Sequence, residues 1–475
     1  MFRVAASVEL ESRQARDTHL VLLTAAVALV ALFFNLRNIG RPSLWRDEVV
    51  TALMAERGPH GIVVLAQNSD TVQAPYYLMM WAWSTLFGTS ETSLRAISAI
   101  AVAIAVAALF QIAVRYTTTR GALVAATLFL VLPSTTRYAQ EVRAQAFILA
   151  AIVVATLLLH LALADDRRAR WIGYALALTF GALCSFMALM ILAGHAALMW
   201  RRVPWRTAAL AWSPALGVAA TMFGLSFWRK NATEWIPPAT WPRLKMVGGQ
   251  LAGTETIALL FVAAVLAFAV WTGFSRQWQA HGWLLIVAAL PVTLWLVGHV
   301  QNIFVARYVL FVVPFYALIA AMVLTRANVV AALAFLILVS HLAYPEQVKV
   351  RGFAGHGDDL RSAQAAVAQQ ARPGDAIIFD FTAIRAGFDY YNDRSPAPPL
   401  ADPLNVSPGQ EDLKTFGNLS KPCTAAALAG VDRVWDVHVL GSPLIDRTGP
   451  RLCGSPLTLV TTTQHGGVLV SLYRS

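Results

Sequence analysis

Apolar residues in this chain gather into unbroken runs instead of alternating with polar ones, and most runs approach the ~20 residues that a helix needs to cross a bilayer. They lie near residues 19–36, 94–114, 121–135, 144–164, 171–184, 186–200, 207–228, 256–273, 283–299, 307–324 and 327–344. The pattern predicts about eleven spans. Two of them, 171–184 and 186–200, are short for a bilayer of ordinary thickness. A β-barrel would instead alternate apolar and polar positions over ~10-residue strands. The run from Tyr76 to Phe87 is too short to cross, and reads as a helix along the membrane surface with Trp81 and Trp83 at headgroup depth.

Composition agrees. Of 475 residues, 57% are hydrophobic and 13% charged, about half the charge of a soluble domain, which excludes an ordinary soluble enzyme or a disordered scaffold. The formal charge of +11 gathers in short loops, at 115–120, 165–170, 201–206 and near Arg276, with Arg326 a weaker fifth. Arginine clusters between spans mark the cytoplasmic side, so the surplus orients the protein and nucleic acid is not an expected partner. The loops 37–93, 136–143, 229–255 and 300–306, with everything after 345, then fall outside, as expected of a multi-pass plasma-membrane protein. Glu9, Glu11 and Asp17 interrupt the start of the chain, unlike a cleavable signal.

After Pro345 the composition becomes that of a soluble α/β domain, giving a division at 344/345 into a membrane domain (1–344) and an extracytoplasmic domain (345–475). Its expected elements are a helix from Asp358 to Gln370, a turn at Pro373-Gly374, and strands at Ala376–Phe381, Val434–Leu440 and Val468–Tyr473. Cys423 and Cys453 lie in this domain, where disulfides persist, and are expected to be bonded; Cys184 lies in an apolar run.

Ionisable groups next to a bilayer are tolerated where they face water, protein or substrate, so their grouping is informative. Four polar knots share the outer side: Trp45-Arg46-Asp47-Glu48, Asp70 to Tyr77, Arg137 to Arg143, and Arg307-Tyr308. Each has an ordinary explanation. Asp47 and Glu48 could solvate a loop, Arg137 and Glu141 could pair four residues apart if helical, and Arg307 could snorkel. Asp70 could bind sugar hydroxyls, hold a cation or cap the surface helix.

Taken in order, the knots resemble the GT-C superfamily of polytopic glycosyltransferases, in the branch of the protein O-mannosyltransferases and the lipid A aminoarabinose transferases. The matching pieces are Trp45, Asp47 and Glu48; Gln73-Ala74-Pro75-Tyr76-Tyr77, without the histidine usual in the family; Phe87-Gly88 and Leu94-Arg95; Tyr138 to Arg143; and Arg307-Tyr308 with Pro314. The resemblance covers residues 19 to about 160 well, the later spans loosely, and the C-terminal domain not at all. It implies a GT-C-like fold and an inverting transferase that moves a sugar, mannose favoured over a pentose, from a polyprenyl-phosphate donor to a glycan, glycolipid or protein acceptor of the cell envelope. By the motif match Asp47 is the base, with Glu48 the runner-up or the residue that orients the first loop. Arg143, then Arg137 and Arg307, are the phosphate candidates, with Arg46 a fourth. Asp70, Tyr76, Tyr77, Gln140, Glu141 and Tyr308 are substrate-binding candidates by their place in these motifs.

No metal-ligand constellation is visible, since His60, His195, His299 and His341 are scattered, and no cofactor is expected beyond an optional divalent cation on Asp47 or Asp70. The competing class is a lipid or solute transporter. Transporters carry ionisable residues near mid-membrane and related halves, whereas these spans are nearly free of acids and no two halves resemble each other.

Overall fold

The computed structural model describes residues 2–227, 236–275, 278–395, 398–407, 412–442 and 451–475; the expected cytoplasmic loop at Arg276 lies outside them. The chain divides into two compact units.

One unit, made of Met1–Arg37, Ser98–Gln140 and Ala144–Gln347, is helical throughout its described residues. Helix Gln145–Asp165 is apolar on every face, and 72% of its apolar window is buried, against 17% for Val329–Val350, so the first is central and the second peripheral. Gln145–Asp165 packs on Arg168–Cys184, which also receives Trp205–Phe227; Val313–Ala327 packs on Thr119–Val131 and on Glu255–Ser275. One buried polar cluster inside this bundle is bonded within itself. His195 is fully buried, with Thr156 Oγ1 and Tyr174 OH each 3.0 Å from its ring nitrogens, and Trp212 Nε1 donates to Tyr174 OH at 2.9 Å.

The span count is lower than expected. Among the described residues eight helices are long and apolar enough to cross a membrane, or nine if the bent pair Thr119–Val131 and Pro133–Ala139 is one span. That pair bends by 67° because Leu132, which precedes Pro133, is driven out of helical geometry to φ −66°, ψ 132°. Arg168–Cys184 has 17 residues, and Phe186–Met199 and His281–Val297 are also short, so at ~1.5 Å per residue none reaches ~30 Å. The eight include Arg46–Asn68, placed outside by its sequence. This helix is broken at Gly58, whose φ of +69° leads into Pro59. Ala74–Phe87, the expected surface helix, has 14 residues.

The second unit joins Asn38–Ile97, Glu141–Arg143 and Val348–Ser475. It therefore takes in the first long loop as well as the C-terminal segment, a different division from one at 344/345. Backbone and side-chain bonds tie the two stretches together: Ser43 N donates to Phe353 O at 2.9 Å, Leu44 N to Tyr391 OH at 2.8 Å, and Arg57 Nη1 to Thr415 O at 2.7 Å. Arg361 also pairs with Glu91. The C-terminal part is a four-stranded mixed sheet of β1 (Ala376–Phe379), β2 (Arg433–Val439), β3 (Thr458–His465) and β4 (Val468–Arg474), in the order β1-β2-β4-β3. β1 runs parallel to β2, and the other pairs are antiparallel. Strand β3 was not expected, because its eight residues, TLVTTTQH, are nearly all exposed and show no inward apolar row. Helices Leu360–Gln370 and Thr382–Asn392 flank the sheet, the first capped by Asp359, whose carboxylate accepts from Ser362 N at 3.1 Å. Ile378, Leu428, Val434, Leu452 and Tyr473 form the core beside a disulfide between Cys423 and Cys453, whose Cα atoms are 5.7 Å apart. Cys184 is reduced and buried.

Candidate active site

The two adjacent acids of the first knot have different surroundings. Both lie in the first turn of Arg46–Asn68, where the helix dipole favours negative charge. Glu48 is fully buried. Its Oε1 accepts from Arg95 Nε at 2.8 Å and Val142 N at 2.9 Å; its Oε2 accepts from Arg95 Nη2 at 2.6 Å and Trp45 N at 3.3 Å, with His356 Nδ1 also 3.3 Å away. Arg95, equally buried, spends its remaining N–H groups on the carbonyls of Ile39, Pro42 and Ser43. A buried ion pair offsets its desolvation only with such two-point geometry and full satisfaction. Glu48 thereby binds the start of the helix to the 39–43 turn and to the 141–143 segment.

Asp47 instead keeps 29% of its side chain exposed. Its Oδ2 lies 3.9 Å from Arg143 Nη2, too far for a hydrogen bond, while Arg143 Nη1 donates to the Asp47 carbonyl at 3.4 Å. The carboxylate and the guanidinium are thus neighbours held by charge.

Arg143 is held from its other side by the second knot. Asp70 Oδ1 accepts from Gln73 N at 3.3 Å, at the start of helix Ala74–Phe87, and its Oδ2 accepts from Tyr77 OH at 2.9 Å. Asp70 therefore braces the turn ahead of the helix, whose N-cap is Gln73, and ties it to Tyr77 in the first turn. Burial, followed by the Asp70 charge, pushes the Tyr77 phenol well above its usual range, with Arg143 pulling the other way, so Tyr77 stays a neutral donor. Burial lowers the Arg143 pKa, but Asp47, Tyr77, Asp70 and Glu141 outweigh it, so the net shift is upward and the guanidinium stays charged. Its Nε is buried without a hydrogen-bond partner, as is Gln73 Oε1. Glu141 is buried, and its Oε1 accepts from Trp45 Nε1 at 2.9 Å. Tyr76 is buried, its ring centroid 6.3 Å from that of Tyr77.

Asp47, Glu48, Asp70, Tyr76, Tyr77, Glu141 and Arg143 thus belong to one unit, drawn from three separate stretches of chain. Arg137, Gln140, Arg307 and Tyr308 belong to the other. There Gln140 Nε2 donates to the carbonyls of Asn35 at 2.6 Å and Arg37 at 2.9 Å, and the Arg307 guanidinium sits 5.9 Å from the Tyr308 ring centroid. The condition for an i, i+4 pair between Arg137 and Glu141 is not met, because helix Pro133–Ala139 ends before Glu141 and Gln140 has φ −109°, ψ 19°. Arg46 is committed elsewhere, donating from Nε and Nη2 to the two oxygens of buried Asp358 at 2.9 Å each. Among the described residues no group of three His, Cys, Asp or Glu could hold a metal ion. Arg95, His356 and Asp358 were not singled out as site residues; Arg95 was visible only as part of the Leu94-Arg95 match.

Solved structures share this fold. ArnT from Cupriavidus metallidurans in the apo state superposes with a TM-score of 0.57 at 13% identity, covering 96% of this chain and 98% of that one. The chain has the fold of GT-C glycosyltransferases. The same enzyme bound to undecaprenyl phosphate gives a TM-score of 0.53 at 13% identity, with the same coverage of both chains. The oligosaccharyltransferase of Archaeoglobus fulgidus, tethered to an acceptor peptide containing the NVT sequon, gives 0.50 at 12% identity, over 87% of this chain and 69% of that one. Residues 73–228 match the family model described as dolichyl-phosphate-mannose-protein mannosyltransferase. No curated protein sequence matches the chain significantly.

Proposed function

We propose that this GT-C protein is an integral-membrane, inverting glycosyltransferase that takes a sugar, mannose favoured, from a polyprenyl-phosphate donor to a hydroxyl of a cell-envelope or protein acceptor at the outer face of the plasma membrane. The observation that carries the reading is the pairing of a partly exposed Asp47 carboxylate with the Arg143 guanidinium 3.9 Å away. Its fold neighbours include an enzyme solved with undecaprenyl phosphate and one solved with an acceptor peptide, which supports a lipid-linked donor and an acceptor entering from the aqueous side.

In this mechanism Asp47 removes the proton of the acceptor hydroxyl as its oxygen attacks the anomeric carbon. The bond from that carbon to the phosphate oxygen breaks on the opposite face, its electron pair stays with the phosphate, and the configuration inverts. Arg143 meets the charge growing on the leaving phosphate, its charged side chain 12% exposed beside Asp47. Glu48, whose oxygens are all engaged by Arg95, Val142, Trp45 and His356, acts as a positioning residue and not as the base. Tyr76 and Glu141 are the further residues of this unit proposed to bind substrate.

The test is Asp47→Asn assayed in reconstituted membranes with polyprenyl-phosphate-linked sugars. Loss of a general base predicts a fall in turnover of about 10²–10⁴-fold in a protein that melts like the wild type. Undiminished transfer by the folded variant removes Asp47 from the mechanism.

A further inference from the structure

Away from Asp47, the second unit contains a cleft of about 690 Å³, within the ~300–1,000 Å³ range of small-molecule sites. Its floor is aliphatic, from Val49, Leu53 and Ala386. Glu56, Asp389, Asp393 and Asn405 supply the polar lining.

The walls are built before any ligand arrives. Arg385, 4% exposed, donates from Nε to Asp402 Oδ2 and from Nη2 to Ser420 Oγ at 2.8 Å each, and also to the Asn418 carbonyl, fastening Asp402, Asn418 and Ser420 to helix Thr382–Asn392. From the other side Arg57 Nη2 donates to the Asp412 carbonyl at 3.1 Å, and Asn418 Oδ1 accepts from Asp412 N at 2.8 Å. At Gly417, with φ +144°, a Cβ would stand 3.2 Å from the Thr382 carbonyl oxygen, so the loop can approach the helix this closely only with glycine there. A preformed wall loses little entropy on binding.

The cleft does not belong to the reaction centre. At ~100° per residue, Val49, Leu53 and Glu56 point between about 180° and 240° around the helix from Asp47, on its far side.

We propose that this cleft is a saccharide-binding subsite that holds the acceptor glycan away from its reacting end. Carboxylates and a carboxamide accept hydroxyl hydrogen bonds, and an aliphatic floor suits the C–H face of a sugar ring. Asp389 and Asp393, one helical turn apart and both exposed, present acceptors along one side. A cationic peptide is the poorer occupant at the Glu56 end, because Arg394, stacked 3.5 Å over Tyr390, already pairs with Glu56 at 3.2 Å and leaves that acid neutralised. A metal is poorer still, since no group of three acids or histidines among the described residues could hold one.

The word acceptor rests on the transferase reading; the binding itself does not, and the experiment separates them. The full chain in detergent is titrated with mannotetraose, arabinotetraose and trilysine by saturation-transfer NMR. One of the two saccharides should bind, the double variant Asp389→Asn/Asp393→Asn should weaken it at least about tenfold, and Glu56→Trp, at an exposed lining position, should abolish it while melting as the wild type does. Asp47→Asn should bind the saccharide as the wild type does. The proposal is overturned if neither saccharide binds, if trilysine is preferred, or if binding survives both cleft changes. Active Asp47→Asn with intact cleft binding would strike the catalytic reading alone.

Discussion

Two acid–arginine pairs lie side by side at the head of one helix, and they differ in almost everything except composition. Glu48–Arg95 is fully buried, doubly bonded at 2.6 and 2.8 Å, and surrounded by carbonyls and a histidine that use up its remaining capacity. Asp47–Arg143 is looser, at 3.9 Å, with the acid partly in solvent and one guanidinium nitrogen unpartnered. Sealed, fully bonded charges are rigid and chemically inert; a carboxylate that keeps part of its surface in solvent can meet an acceptor hydroxyl, and a charged guanidinium beside it can face an anion. The buried pair fixes the backbone at the position from which the looser pair works.

This contrast orders the expected effects. The largest falls on the buried pair: Arg95→Met leaves Glu48 in the interior without its ion-pair partner, and should cost about 3–5 kcal/mol by denaturant or thermal unfolding. Replacing both partners, as Glu48→Gln with Arg95→Met, should cost less than Arg95→Met alone; an equal or greater loss would mean that the pair is not acting as a unit. The looser pair should respond in kinetics. Arg143→Ala is expected to lower turnover with the lipid-linked donor by about 10²–10³-fold, as for loss of one oxyanion donor, with the acceptor KM little changed. An effect confined to acceptor KM would move Arg143 away from the phosphate. The smallest effect belongs to Tyr77→Phe, which removes the hydroxyl between Asp70 and Arg143. It should cost only about 0.5–1.5 kcal/mol, read as a several-fold rise in donor KM. No change in donor KM would make Tyr77 a packing residue.

What the sequence made legible follows from where each signal is local. Asp47, Asp70, Tyr77 and Arg143 stood out because polar groups beside apolar runs are uncommon, and their order along the chain carried the resemblance. Partners far apart in sequence were not legible. Arg95 opens an apolar run and lies 47 residues from Glu48; His356 lies 308 away, in the C-terminal segment. Arg46 looked available beside Asp47, and only the fold brings Asp358 to it. The fold class could be read from apolar runs, and so could the shortness of the two runs within 171–200, but the span count could not, since hydropathy does not register the bend at Leu132-Pro133. Hydropathy also missed that the first loop folds with the C-terminal segment, an arrangement held by side-chain bonds such as Arg57 to Thr415 and Leu44 to Tyr391.

The most direct measurement takes two single changes at neighbouring positions, Asp47→Asn and Glu48→Gln, and records melting and sugar transfer on the same purified preparations. The account predicts that Asp47→Asn melts as the wild type does and loses transfer by about 10²-fold or more, whereas Glu48→Gln melts earlier and keeps, in whatever fraction stays folded, a far larger share of the rate. The reverse outcome, a stable but inactive Glu48→Gln beside an active Asp47→Asn, would contradict it.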